Sequence, residues 1–174
     1  MPRDTTIVWR EAYKSLKTES SLAERFMSLK RIVKTMKIII GYESYHGNTR
    51  TMAYALERGA REAGAETVIR NIRQIKPFDV QNADVVVIAT PTYHGKPPSN
   101  VRYFMKNYDG FDFSQKKAFV LGSCEELGEA LDQTIDFFRS KGATVLVPPI
   151  KVKGKPTKAD LESCQQKGAE IAAS

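Results

Sequence analysis

After residue 35 the chain alternates short runs rich in β-branched residues with stretches striped at helical spacing, and few folds satisfy that pattern. Lys37–Tyr42 (KIIIGY) reads as a buried strand. Thr49–Ala63 follows with Met52, Leu56, Ala60 and Ala63 on one helical face, and Gly64 stands where a C′ residue belongs. Glu66–Asn71 is a second strand, and Asp84–Thr90 (DVVVIAT) a third, apolar on both faces as a strand covered on both sides requires. Between them Ile72, Ile75, Phe78 and Val80 leave room for only a turn or two of helix around Pro77. Ser99 is placed to cap a helix carrying Val101, Phe104, Met105 and Tyr108. Lys117–Gly122 is the fourth strand; Leu127, Leu131, Ile135 and Phe138 stripe a helix ending at Gly142; Ala143–Pro148 is the fifth strand. Thr157 and Asp160 sit at capping-box spacing before a last helix with Leu161, Cys164, Gly168 and Ile171. Five strands joined by helices predict an α/β fold with a parallel sheet covered on both faces. Periodicity does not give the strand order.

Residues 1–35 stand apart. Ser21 and Glu24 make another capping-box spacing, and Leu22, Phe26, Leu29 and Val33 form a stripe, with Trp9, Tyr13 and Leu16 before it. The division predicted is an N-terminal basic amphipathic helical extension, 1–35, and one domain, 36–174. Residues 1–35 hold eight Lys and Arg against four Asp and Glu, a net +4, while the remainder holds 19 against 16, a net +3. Such a stripe packs on the parent domain or on a second copy, so a homodimer through this segment stays open. So does a membrane surface or another partner. The overall charge of +7 favours partners with acidic surfaces. No basic run is interleaved with aromatics in the manner of a nucleic-acid module. No segment is apolar for the length of a bilayer span, and the first 35 residues do not read as a secretory signal, so a cytoplasmic location is expected. Two cysteines, Cys124 and Cys164, form no CxxC pair, and with only two histidines in the chain no metal site is expected.

Three loops leave the carboxyl ends of the predicted strands, where parallel sheets collect ligands. The first, Glu43-Ser44-Tyr45-His46-Gly47-Asn48-Thr49, delivers the chain into a helix N-terminus whose free N–H groups suit an anion. It contains no lysine, and neither GxGxxG nor GKS/GKT occurs there. The second is Ala89-Thr90-Pro91-Thr92-Tyr93-His94-Gly95, and the third Gly122-Ser123-Cys124-Glu125-Glu126-Leu127-Gly128-Glu129-Ala130. Both histidines, His46 and His94, fall in these loops.

Ser44-Tyr45-His46-Gly47-Asn48-Thr49 resembles the phosphate loop of flavodoxins, hydroxyl–x–x–Gly–Asn–Thr, and the other two loops resemble that family's flavin-flanking loops. Residues 37–173 follow the family in order, with the third loop and the tail Val152–Thr157 most similar to the flavodoxin domain of flavodiiron proteins. The resemblance implies a flavodoxin-like three-layer sandwich, strand order 2-1-3-4-5, and one noncovalent FMN. It implies that Ser44, His46, Asn48 and Thr49 hold the phosphate, with Tyr45 and Gly47 contributing backbone. Pro91, Thr92, Tyr93, His94 and Gly95, with Ser123, Cys124, Glu125, Glu126, Leu127 and Gly128, would enclose the flavin ring, with Tyr93 the candidate to stack on it. The function implied is that of an electron carrier between redox proteins, passing through flavin semiquinone and hydroquinone, with the Gly95 peptide near the flavin N5. Two rivals remain: an FMN-dependent NAD(P)H:quinone reductase, and a flavin-free docking or regulatory module. Whether the chain is an enzyme is therefore left open.

The chain departs from the family in three ways. Cys124-Glu125-Glu126 replaces an aromatic usual near Glu126, which opens one flavin face, and acidic groups there would lower the flavin potential by repelling the anionic reduced form. The chain is basic where free-standing flavodoxins are acidic. A flavodiiron enzyme needs a second, iron-binding domain, for which 174 residues leave no room.

Overall fold

A computed structural model describes residues 35–124 and 128–174. The predicted helix over Leu22–Val33 lies outside the described residues, as do Glu125, Glu126 and Leu127. Thr35–Ser174 form one compact unit.

The elements run β1 (Lys37–Tyr42), α1 (Asn48–Glu62), β2 (Glu66–Asn71), a 3₁₀ turn (Ile72–Gln74), α2 (Pro77–Asn82), β3 (Val85–Ala89), α3 (Ser99–Asn107), β4 (Lys117–Cys124), α4 (Glu129–Ser140), β5 (Thr144–Val145), β6 (Ile150–Lys153) and α5 (Lys158–Ala172). All strand pairs are parallel and the order is β2-β1-β3-β4-β5, with β6 also on β4. This is the 2-1-3-4-5 order that the resemblance implied.

Strand periodicity divides the core into two layers. Ile38, Ile40, Val85, Val87, Ala89, Phe119 and Leu121 face α1 and α5, meeting Met52, Leu56, Ala60, Cys164 and Ile171. Ile39, Val86, Ile88, Ala118 and Val120 face the other way, against Val80, Val101, Phe104, Leu131, Ile135 and Phe138 from α2, α3 and α4. The central strand β3 is buried along its whole length, which explains why its sequence carries no polar alternation. α1 and α5 approach so closely that a Cβ on Gly168 would lie 2.0 Å from the Leu56 carbonyl oxygen. Ala63 is the exposed C-cap of α1, and the Gly64 and Ala65 N–H groups close the helix on Arg61 and Ala60 carbonyls, a Schellman motif.

Three sequence expectations are corrected. The fifth strand is not one run over Ala143–Pro148: β5 pairs Thr144 and Val145 with Lys117 and Ala118, and β6 resumes pairing at Ile150 with Leu121. Pro148 and Pro149 have no N–H to donate, so the ladder lapses between them and two surplus residues bulge out. Ser99 does not cap α3; Pro98 occupies the N-cap and no side chain caps that helix. β4 extends beyond Gly122 through Ser123 and Cys124, which were expected to be loop.

The register sets the position of the site. Tyr42 pairs with Ala89, and Ala89 with Leu121, so β1 and β3 end in one row while β4 runs three residues further, to Cys124. The loops continue that ladder briefly: Glu43 N–H donates to Ala89 O (3.0 Å), Thr90 N–H to Leu121 O (2.9 Å) and Thr92 N–H to Ser123 O (3.1 Å).

Candidate functional site

Beyond that row lies a cleft of about 420 Å³ lined by Ser44, His46, Asn48, Thr49, Pro91, Thr92, Tyr93, Ser123, Cys124 and Gly154. A larger hollow, about 640 Å³, sits at the amino ends of β1 and β2, among Lys37, Glu66, Phe78 and Asp79. The helix start beside it, that of α2, is already closed, since Asp79 accepts from the Lys76 N–H (2.9 Å). The smaller cleft has the chemistry that the larger hollow lacks.

One wall of the cleft is the start of α1. Gly47 stands at its N-cap with φ +85°, no side chain caps the helix, and its first turn contains no acid. The first intrahelical bond is Thr51 N–H to Gly47 O (2.9 Å), so the N–H groups of Asn48, Thr49 and Arg50 precede the ladder. These donors and the positive end of the helix dipole make a place for an anion. Thr49 is buried, and its hydroxyl shares a 2.8 Å hydrogen bond with the Ser123 hydroxyl, tying α1 to the end of β4. The Asn48 amide donates to Gly154 O (3.4 Å), which closes the floor. Glu43, buried under the loop, accepts from the Asn100 amide (2.7 Å).

The opposite wall is Pro91–Tyr93. Thr92 is only 6% exposed, yet its hydroxyl has no hydrogen-bond partner among the described residues. A buried hydroxyl without a partner costs about 1–3 kcal/mol, which a polar ligand in the cleft would remove. The Tyr93 ring lines the cleft and meets the exposed Tyr45 ring edge-on, centroids 5.6 Å apart. Tyr45 itself does not line the cleft; its ring borders it through this contact with Tyr93.

Tyr93 and Lys96 then exchange both backbone hydrogen bonds (3.2 and 3.1 Å) around a two-residue turn. His94 (φ +50°) and Gly95 (φ +70°) both lie in the left-handed region, the signature of a type I′ turn. His94 alone among the described non-glycine residues has a positive φ. This turn stands at the rim: His94 and Gly95 do not line the cleft, so the two histidines are not equivalent. The Gly95 carbonyl accepts a 3.0 Å hydrogen bond from the Gln133 amide of α4.

Cys124 lines the third side. Burial pushes its thiol up, opposed by Lys151, while Glu129 raises it further and Lys153 lowers it. Gly128 is buried as the N-cap of α4, beside the Lys151 side chain. The other thiol, Cys164, is pushed up to about 11 by burial among the contacts of α5, remote from the cleft. Sequence reasoning did not place Gly154 in the cleft. The available signal was its position just past β6, at the carboxyl edge shared by the other loops.

The flavodoxin family profile matches residues 40–168. Diflavin flavoprotein A 2 of Thermosynechococcus vestitus is 31% identical over 140 residues, 78% of this chain and 24% of that protein. Flavodoxin 2 of Bacillus subtilis is 26% identical over 147 residues, covering 78% of this chain and 94% of the relative. The crystal structure of oxidised flavodoxin 1 from Bacillus cereus superimposes with a TM-score of 0.74 at 29% identity, over 79% of this chain and 97% of that one. The chain spans about a quarter of the length of the diflavin flavoprotein. With the strand order, the three loops at one sheet edge and a profile match over most of its length, this chain belongs to the flavodoxin family.

Proposed function

We propose that the cleft holds one FMN and that the domain carries electrons between redox proteins. FMN binding and electron transfer are the trade of the flavodoxin family, and the residues present fit the cofactor. The observation that carries the reading is one cleft combining an uncapped helix start with an unpartnered buried hydroxyl, on Thr92. A phosphate monoester answers the first, and a polar group of the same ligand answers the second.

The roles follow from position. The N–H groups at the start of α1, with Ser44, Asn48 and Thr49, receive the phosphate. The Thr49–Ser123 bond fixes the Thr49 rotamer against the sheet. Tyr93 supplies an aromatic face. When bound, FMN supplies the redox chemistry, and the protein sets its position and surroundings. Exposed Arg50, Lys96, Lys153 and Lys155 lie on the segments that line the cleft or border it, which favours partners with acidic faces.

The test is a visible absorption spectrum of the full chain before and after FMN addition, with desalting between. Retention of about one FMN per chain supports the site, and a folded protein that retains none overturns it. Reduction by an acidic redox protein should slow as salt rises. Catalytic NAD(P)H oxidation with a quinone acceptor would replace the carrier reading with a reductase.

A further inference from the structure

β2 is the outermost strand on its side of the sheet, and no strand among the described residues pairs with its outer side. Edge strands are ordinarily kept from pairing by lysine, proline, a bulge or a covering element. β2 reads Glu66-Thr67-Val68-Ile69-Arg70-Asn71, with neither lysine nor proline, and it runs along β1 through six successive pairs without a bulge. The Glu66 N–H donates inward to Met36 O (2.9 Å), so strand alternation turns the N–H and C=O groups of Thr67 and Ile69 outward.

The side chains alternate as well. Thr67 and Ile69 turn to α1, where the Thr67 hydroxyl donates to Glu57 (2.8 Å) and Ile69 packs on the core layer. Glu66, Val68 and Arg70 are exposed on the other face. α2, only six residues long, does not cover them: Val68 is 36% exposed and Phe78 72%, and both line the 640 Å³ hollow.

We propose that β2 is a homodimer seam, on which β2 of a second copy of this chain pairs antiparallel about a two-fold axis at Val68.

The strand is self-complementary in that register and in no neighbouring one. Thr67 faces the partner's Ile69, and their outward N–H and C=O groups exchange hydrogen bonds. Glu66 faces the partner's Arg70, and Arg70 the partner's Glu66, which makes two cross-strand pairs of opposite charge around a Val68 contact. An axis at Glu66 or Arg70 would set like charges against each other. An axis at Thr67 or Ile69 would set a charge against Val68. Within the chain each charge is held only by a long ion pair, Glu66 to Lys37 (4.0 Å) and Arg70 to Asp79 (3.8 Å), which leaves both open to the partner strand. A contact of this isologous kind closes as a dimer. A five-residue seam is short beside a standard interface of about 1,200–2,000 Å², so association is weak and concentration-dependent. None of the seam residues lines the cleft, and the proposal stands independently of the FMN reading.

The test is sedimentation equilibrium of the full chain from about 1 μM to about 1 mM. The wild type should pass from one chain toward two as concentration rises. Val68→Lys should weaken association about tenfold or more, by setting like charges across the axis. Glu66→Arg and Arg70→Glu should each weaken it about three- to tenfold, and the two combined should restore it, which reciprocal pairing in this register requires. Under a mild oxidant Val68→Cys should cross-link two chains, whereas Arg70→Cys should not, because the two copies of that position lie about 13 Å apart. All these positions are exposed, so the variants should keep the wild-type circular dichroism. A wild type that stays monomeric to about 1 mM overturns the proposal. So does a dimer that tolerates Val68→Lys, a double reversal that fails to restore association, or a Val68→Cys variant that does not cross-link.

Discussion

α1 and α5 lie against the same face of the sheet and both begin at its carboxyl edge, yet their first turns are finished in opposite ways. At α5, Thr157 accepts from the Asp160 N–H (3.3 Å) while Asp160 accepts from the Thr157 N–H (2.8 Å) and hydroxyl (2.7 Å), a complete capping box. At α1, a left-handed glycine replaces the cap and the first turn carries no acid. Closing a helix start with a side chain stabilises it by about 1 kcal/mol, so the open start of α1 gives up that amount of apoprotein stability. The contrast teaches that this fold can satisfy a helix end at this edge, and that at α1 it leaves the donors for something else.

The largest test breaks the frame that both helices share. Gly168→Val would drive a side chain into the Leu56 carbonyl and should cost about 3 kcal/mol, read as a lower urea midpoint. If stability holds, the two helices are not locked together as described. The next test closes the open end. Asn48→Asp places a negative charge at the start of α1, which should weaken FMN binding about tenfold or more while weakening riboflavin binding far less. Equal losses for both flavins would place the phosphate elsewhere.

Thr157→Ala opens the closed end instead. It should cost about 1 kcal/mol in thermal or urea unfolding and leave FMN affinity unchanged, because Thr157 does not line the cleft. The smallest effect is acid-dependent. Hydrogen bonds from the Thr157 hydroxyl and N–H hold the Asp160 carboxyl below the usual carboxylate range. A depressed native pKa contributes stability above the unfolded value, near pH ~3.9, and that contribution is lost as pH falls through the native value. Acid unfolding of the wild type should therefore be steeper in this range than that of Thr157→Ala.

The two helix starts also differ in how readily the sequence reveals them. The Thr157/Asp160 spacing names its own structure, because both partners lie in one turn. The first loop was legible for a related reason: hydroxyls, an amide, an imidazole and a glycine are concentrated in seven residues after an apolar run. β1 and β3 were equally clear, since burial on both faces forces continuous Ile and Val, whereas β2, at the sheet edge, showed itself by alternating residues. What escaped depends on pairing between distant segments. Ser123 and Cys124 look like loop residues until the β3 loop and β6 extend the ladder to them. The fifth strand looked continuous although Pro148 and Pro149 interrupt it, because apolar residues continue up to the break. Gly154 joins the cleft through the Asn48 amide, 106 residues earlier in the chain, and through its own N–H, which donates to Cys124 O (2.9 Å). That His94 would stand at the rim while His46 lines the wall also required the backbone, since the I′ turn carries residues 94 and 95 away from the cleft.

The bond from Gln133 to the Gly95 carbonyl gives the rim turn a preferred orientation before any ligand arrives. Any rotation of this peptide that turns the Gly95 carbonyl elsewhere must first break the Gln133 bond, at a cost of about 0.5–1.5 kcal/mol. Gln133 thus acts as a latch on the turn. Its strength biases the balance among ligand states that differ in what they ask of one peptide group, although its own side chain lies outside the cleft lining.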